Sequence, residues 1–189
     1  VIRGALTVAP STTLTIHPGV TVQVAQYAPL FIEGALKAEG TAGSPIGFGG
    51  TTATKGWWRG IQMTGAGAAQ MAWCDVAHAG YWDSVGVFKS GNGSLTLRNS
   101  TIRDHAGDGL RLDGSTGTHA IDQCRFTENA NGVLVRNLAA PITLGHARIE
   151  VEHRRIVRQL AGRMIQREAA TFAMQQAATA FALNHLAIE

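Results

Sequence analysis

Three residues that could carry out acid–base chemistry, His78, Asp104 and Glu128, recur at intervals of about 24 to 26 residues. If successive repeats stack as turns of a coil, these side chains line up about 5 Å apart, a spacing at which an acid and a base can cooperate. The three positions fall at a corner of the repeat, where solvated polar residues are ordinary. We therefore keep them as catalytic candidates but favour the interpretation that they are ordinary solvated polar residues of the corner. Polar residues nearby are Asp75, Arg103, His105, Asp108, Asp113 and Asp122.

The aromatic residues Trp57, Tyr81 and Trp82 form a second group of candidates. Exposed aromatic rings can stack on the C–H surfaces of sugar rings, so these side chains are candidates for ligand contact if they face outward. Inward-facing rings would instead be core residues. The sequence leaves the two alternatives open.

Several other chemistries have no support in the sequence. It has no Walker, Rossmann, zinc-finger or catalytic-triad motif, and we expect no metal and no cofactor. The net charge of +3 and the pI of about 9.2 come from scattered residues, so nucleic acid is not an expected partner. No run of eighteen apolar residues and no charged, apolar leader is present. We therefore expect a mature region or a fragment without a transmembrane segment.

The elements that must position these residues follow from an internal repeat of about 24 to 26 residues. Three copies align from Met71 onward, and a fourth begins at Leu144 and stops after Ile149. Same-type residues fall into columns, as expected when parallel strands stack about 4.8 Å apart around a shared interior. The predicted columns are Met71, Leu97 and Ile121; Cys74, Ser100 and Cys124; Val76, Ile102 and Phe126; Val85, Leu110 and Val133; and Val87, Leu112 and Val135.

The two cysteines test this arrangement. Cys74 and Cys124 share a column but lie two turns apart, with Ser100 between them, so their Cα atoms should be about 9 to 10 Å apart. A disulfide needs less than about 7 Å. The prediction is two buried free thiols.

The segments "TLTIHPGVTVQV", "LFIEGALKAEGTAGSPIGF" and "WWRGI" resemble the N-terminal coils of right-handed parallel β-helix proteins of the pectin-lyase-like kind. The similarity is greatest to repeat regions of large bacterial surface and secreted proteins, and it covers residues 1 to about 149. It implies an all-β, right-handed parallel β-helix (solenoid) of six to seven turns with an extracellular or cell-surface location. In that family the tryptophan equivalent to Trp58 is a packing residue.

The end of the chain has a different pattern. From residue 150 to 189 it is rich in Ala, Gln, Arg and Glu, and Val157, Leu160, Met164 and Phe172 recur at helical spacing. We expect a β-helix over residues 1–149 and an α-helical C-terminal segment over 150–189. That helix could cap the open last coil, mediate self-association, or bind a membrane surface through Arg154, Arg155 and Arg158. A shifted reading frame or a foreign segment is a further alternative.

The sequence favours a non-catalytic module of an exported or cell-surface protein, acting as a rigid stalk or as an adhesin segment that contacts carbohydrate. The partner would be a polysaccharide or a cell-surface glycan. The alternative is a polysaccharide lyase or glycoside hydrolase, or a fragment of one, acting on an acidic polysaccharide. The fold supports either function. An enzyme should bring carboxylates, or a carboxylate and an Arg or Lys, together on one outer face across adjacent turns.

Overall fold

The computed structural model describes residues 1–82, 85–151 and 157–159 of the 189-residue chain. Within these residues the backbone is a parallel β-solenoid whose strands visit three sheets in turn. Sheet 1 contains β1 (Leu6–Val8), β4 (Leu30–Ile32), β7 (Ile61–Met63), β10 (Val85–Gly91), β13 (Asp108–Ser115), β16 (Asn131–Arg136) and β19 (Val157–Gln159). Sheet 2 contains β2 (Thr13–Ile16), β5 (Ala35–Glu39), β8 (Ala69–Ala72), β11 (Leu95–Arg98), β14 (His119–Asp122) and β17 (Ile142–Leu144). Sheet 3 contains β3 (Thr21–Val24), β6 (Ile46–Gly50), β9 (Cys74–Ala77), β12 (Thr101–Arg103), β15 (Arg125–Asn129) and β18 (Arg148–Val151).

The stacking of like residues predicted from the repeat is confirmed in sheets 2 and 3. Leu97 pairs in parallel with Met71 on one side and with Ile121 on the other. Ile102 pairs in the same way with Val76 and Phe126. All of these side chains are buried in one core that runs along the solenoid axis. The removal of this apolar surface from water stabilises the coil.

The predicted register in sheet 1 is wrong by two residues in the first copy. Leu110 pairs with Val87 rather than with Val85, and Leu112 pairs with Lys89. Val85 lies opposite Asp108. The cause is the longer interval before β10: β9 ends at Ala77 and β10 begins at Val85, whereas β12 ends at Arg103 and β13 begins at Asp108. Because side chains alternate with a period of two, a slip of two residues leaves the inward-facing pattern unchanged and cannot be detected from it.

The cysteine prediction is confirmed, since both thiols are free and buried. Ser100 lies between them: its hydroxyl accepts a hydrogen bond from the Cys74 backbone N–H at 3.0 Å, and its carbonyl accepts one from the Arg125 backbone N–H at 2.9 Å. Burial raises the pKa of Cys74 to about 12 and that of Cys124 to about 11. Both sulfurs therefore act as packing groups with little thiolate character.

Two corners of the coil repeat an unusual backbone conformation. Where sheet 2 leads to sheet 3, Trp73, Asn99 and Gln123 have φ of 50°, 49° and 51°. Where sheet 3 leads to sheet 1, the corresponding residues of three successive turns again have positive φ, between 55° and 66°. Side chains other than Asn and Asp adopt this left-handed conformation at some cost in free energy. The coil therefore fixes the backbone conformation at these corner positions, and this conformation limits which residue types fit there.

The corner that leads from sheet 1 to sheet 2 is closed by a ladder of glycines. A Cβ on Gly67 would lie 2.2 Å from the carbonyl oxygen of Gly34, and one on Gly93 would lie 2.0 Å from that of Gly67. A Cβ on Gly117 would likewise lie 2.2 Å from the carbonyl oxygen of Gly93. Successive turns approach here too closely for any side chain, which explains why glycine occupies each position.

The solenoid continues across the boundary predicted between residues 149 and 150, because β18 spans it. Within the segment 150–189 that was predicted to be helical, the described residues 150–151 and 157–159 lie in β18 and β19, and the predicted helix is unconfirmed. Val157 in β19 pairs with Leu134 in β16, so the backbone edge of β16 is paired with a further strand. The rest of the segment lies outside the described residues.

Candidate functional site

Three aromatic side chains, Tyr27, Tyr81 and Trp82, lie together at the corner between sheets 3 and 1, and we call them the aromatic corner. The rings of Tyr27 and Tyr81 have centroids 4.3 Å apart, and those of Tyr81 and Trp82 are 6.3 Å apart. Trp82 is 80% exposed and Tyr27 is 51% exposed. The three rings thus form one apolar surface that faces solvent.

Backbone hydrogen bonds between turns hold this surface in place. The Tyr27 N–H donates to the Trp57 carbonyl at 2.9 Å, and the Tyr81 N–H donates to the Trp58 carbonyl at 3.0 Å. Tyr27 and Trp82 have φ of 66° and 65°, values that are rare for large side chains. Strained backbone that is held by its surroundings is frequent at binding sites. The rings are therefore presented on a defined frame.

The two tryptophans beneath the aromatic corner have supporting positions. Trp57 is half-buried, its indole N–H donates to the Thr51 hydroxyl at 3.0 Å, and its ring fills the space that a Cβ on Gly50 would take. Trp58 is fully buried and donates to the Ala77 carbonyl at 2.9 Å. Trp58 is thus a packing residue, as the resemblance implied.

The structure brings two of the three predicted aromatic candidates together on the surface. Tyr81 and Trp82 belong to the aromatic corner, whereas Trp57 is half-buried and packs against the core. Sequence reasoning missed Tyr27, because the corner between β3 and β4 carries no repeat from which its alignment with residues 57 and 81 could be read. Its position before an Ala-Pro pair, in a corner, was the available signal.

The acid–base candidates occupy the positive-φ position at the end of three successive strands of sheet 3. His78, Asp104 and Glu128 follow β9, β12 and the first part of β15, with φ of 66°, 57° and 55°. His78 and Asp104 are half-buried, and Glu128 is exposed. The coil therefore places the three at equivalent corner positions, as the repeat predicted. Their use in catalysis stays a prediction.

A cluster of charged groups, Asp75, Arg103 and Asp104, lies beside His78 on the outer face of sheet 3, and we call it the ion cluster. Arg103 donates from Nε to Asp75 Oδ1 at 2.9 Å, from Nη2 to Asp75 Oδ2 at 2.8 Å, and from Nη1 to Asp104 Oδ2 at 2.6 Å. The hydrogen bonds with Asp75 are the main cause that raises the pKa of Arg103. One guanidinium thus bridges two carboxylates from adjacent turns.

The environment of this cluster favours the neutral form of His78. Burial, with a further contribution from the positive charge of Arg103, lowers the pKa of its imidazole below the ordinary value of 6.5. Its Nδ1 atom is buried and has no hydrogen-bond partner among the described residues. The His78 imidazole could accept or donate a proton. The N–H groups of Arg103 that face Asp75 and Asp104, however, already donate hydrogen bonds to those carboxylates.

Residues 1–82, 85–151 and 157–159 contain no group of three or more His, Cys, Asp or Glu side chains placed to hold a metal ion. A helix with the length and apolarity of a membrane span is likewise not found in these ranges.

The fold and these surfaces define a β-helical repeat protein that carries the aromatic corner and the ion cluster. The family model of the right-handed β-helix region matches residues 43–162, which is more than half of the chain. The chain therefore belongs to the right-handed β-helix family. Searches of curated proteins and of solved structures returned no match.

Proposed function

We propose that this chain is a non-catalytic β-helix module that contacts a glycan through the aromatic corner, while the solenoid acts as its rigid support. The observation that carries the proposal is one contiguous surface of rings, in which Tyr27 and Trp82 are exposed and the half-buried Tyr81 lies between them. Aromatic faces suit the C–H surfaces of sugars, and large exposed apolar patches mark interaction sites.

The backbone that carries the rings supports a role in binding rather than in packing. A packing residue loses nothing by being buried, yet Trp82 is 80% exposed in a backbone conformation that costs free energy. The supporting hydrogen bonds come from neighbouring turns of the coil. Binding to a prearranged surface loses less entropy than binding to flexible side chains.

The resemblance to repeat regions of bacterial surface and secreted proteins supports an extracellular or cell-surface location. A glycan partner suits that location, because polysaccharides cover cell surfaces. The module would then act as a stalk or adhesin segment, and its stacked strands would keep their shape when the glycan binds.

The test is a glycan-binding screen that compares the wild type with Tyr27→Asn and Trp82→Asn. Asparagine tolerates positive φ, so each change removes a ring without adding backbone strain. We expect bound glycan signal to fall about tenfold or more while the melting temperature stays equal or rises, with Ser11→Asn as the control, because Ser11 has φ of 63° at a different corner. Unchanged glycan binding by both ring variants would overturn the proposal.

The ion cluster favours a second candidate function, a polysaccharide lyase or glycoside hydrolase acting on an acidic polysaccharide. Asp75, Arg103 and Asp104 meet on one outer face from adjacent turns, which is the arrangement expected of such an enzyme. The engagement of Arg103 by both carboxylates argues against it. Depolymerisation of pectin or alginate by the wild type, lost in Asp75→Asn, would establish this candidate in place of the first.

A further inference from the structure

A fourth exposed aromatic side chain, Trp73, lies at the opposite edge of sheet 3 from the aromatic corner. Trp73 is 38% exposed and has φ of 50°. It directly precedes β9, and His78 directly follows that strand. The Cα atoms of Trp73 and His78 are therefore about 16 Å apart at the usual rise of an extended strand.

The surface between these two aromatic sites is polar. Asp75 on β9 and Arg103 on β12 lie on the outer face of sheet 3, and their side chains are 41% and 36% exposed. A ligand that touched both edges would pass over this ion cluster. Its hydrogen-bonding groups would then meet carboxylate oxygens and guanidinium N–H groups side by side.

We infer that the ligand of this module is an extended neutral polysaccharide, which lies along β9 and contacts the aromatic corner at one end and Trp73 at the other. The inference rests on the proposed glycan-binding function and adds to it the length, direction and charge of the ligand. A single sugar ring cannot bridge the two edges of the sheet, whereas an extended oligosaccharide can.

Charge complementarity selects a neutral ligand. Asp75 and Asp104 carry two negative charges and Arg103 carries one positive charge, so the ion cluster itself has a net negative charge. The carboxylate groups of a polyuronate would be repelled there. The hydroxyl groups of a neutral sugar donate and accept hydrogen bonds, and both kinds of partner are present.

The experiment is isothermal titration calorimetry of the wild type, of Trp73→Asn and of Trp82→Asn with cellohexaose, mannohexaose, xylohexaose and hexagalacturonate. Trp73→Asn should fold normally, because Asn99 occupies the same corner one turn later with φ of 49°. We expect a neutral hexasaccharide to bind the wild type, and Trp73→Asn to weaken that binding about tenfold. Hexagalacturonate should bind more weakly than that neutral sugar.

Each other result identifies what fails. Neutral-sugar binding that is lost in Trp82→Asn but unchanged in Trp73→Asn would overturn the path along β9 and leave the proposed function intact. Equal or tighter binding of hexagalacturonate would overturn the neutral ligand. If none of the four oligosaccharides binds the wild type, the proposed function fails together with this inference.

Discussion

Lys89 gives the sharpest test of the energetics of the solenoid, because it is a fully buried cation in an apolar column. It lies between Met63 and Leu112 in sheet 1, and its Nζ donates to the carbonyls of Gly65 and Ser90. Burial lowers the pKa of its ammonium group from 10.5 to about 8. We predict that Lys89→Met, which extends the column with the residue already at position 63, stabilises the protein at pH 7.

The magnitude follows from the pKa shift. A depression of this size corresponds to roughly 3 kcal/mol of unfavourable free energy when the lysine is charged. For a chain of this length, that gain should raise the melting temperature by roughly 10 °C. Between pH 8 and 10.5 the unfolded state binds more protons than the folded state, so the stability of the wild type rises with pH and the advantage of the variant shrinks.

The assay is thermal and urea unfolding of the two proteins from about pH 7 to pH 10, with the difference between them taken at each pH. Lys37→Met is the matched control, because Lys37 is exposed on sheet 2, and its replacement should change the free energy of unfolding by less than about 0.5 kcal/mol. A Lys89→Met variant that is less stable at pH 7, or whose advantage is the same at pH 10, would refute the reasoning.

Three further predictions concern the interior and the corners. Burial lowers the pKa of His105 to about 3, so its stabilising contribution is lost as the pH falls below the ordinary value of 6.5. The variant His105→Asn carries the residue type found at the equivalent position of the next turn, Asn129. Its urea midpoint should therefore change less than that of the wild type between about pH 7 and pH 4. Gly67→Ala should cost more than about 2 kcal/mol in urea unfolding because its Cβ meets the backbone of the preceding turn, whereas Gly43→Ala, with open space around it, should cost almost nothing. Cys74 and Cys124 should react with a thiol reagent only after unfolding, and a disulfide in the native protein would contradict this.

The sequence predicts the solenoid because its interior repeats residue types at a fixed interval. Met71, Leu97 and Ile121 could be aligned from type alone, and the structure stacks them. The alignment failed where corner length changes, as it does before β10. That failure hid the interior position of Lys89, which a correct register would have placed opposite Leu112.

The candidate site was only partly readable from the sequence. Tyr81 and Trp82 could be selected as aromatic residues in a corner, but the contact of Tyr81 with Tyr27 joins parts of the chain that share no repeat. The bridging of Asp75 and Asp104 by Arg103 likewise depends on side-chain conformations. Column position predicts which residues are neighbours, and it does not predict which of them bind one another.

The contact of a glycan with the aromatic corner can be observed most directly through the indole N–H resonances of the four tryptophans during titration of isotope-labelled protein with a neutral hexasaccharide. The account predicts progressive shifts for Trp82 and Trp73 and none for Trp58, whose indole N–H is bound to the Ala77 carbonyl in the core. A titration that leaves Trp82 unchanged would contradict it.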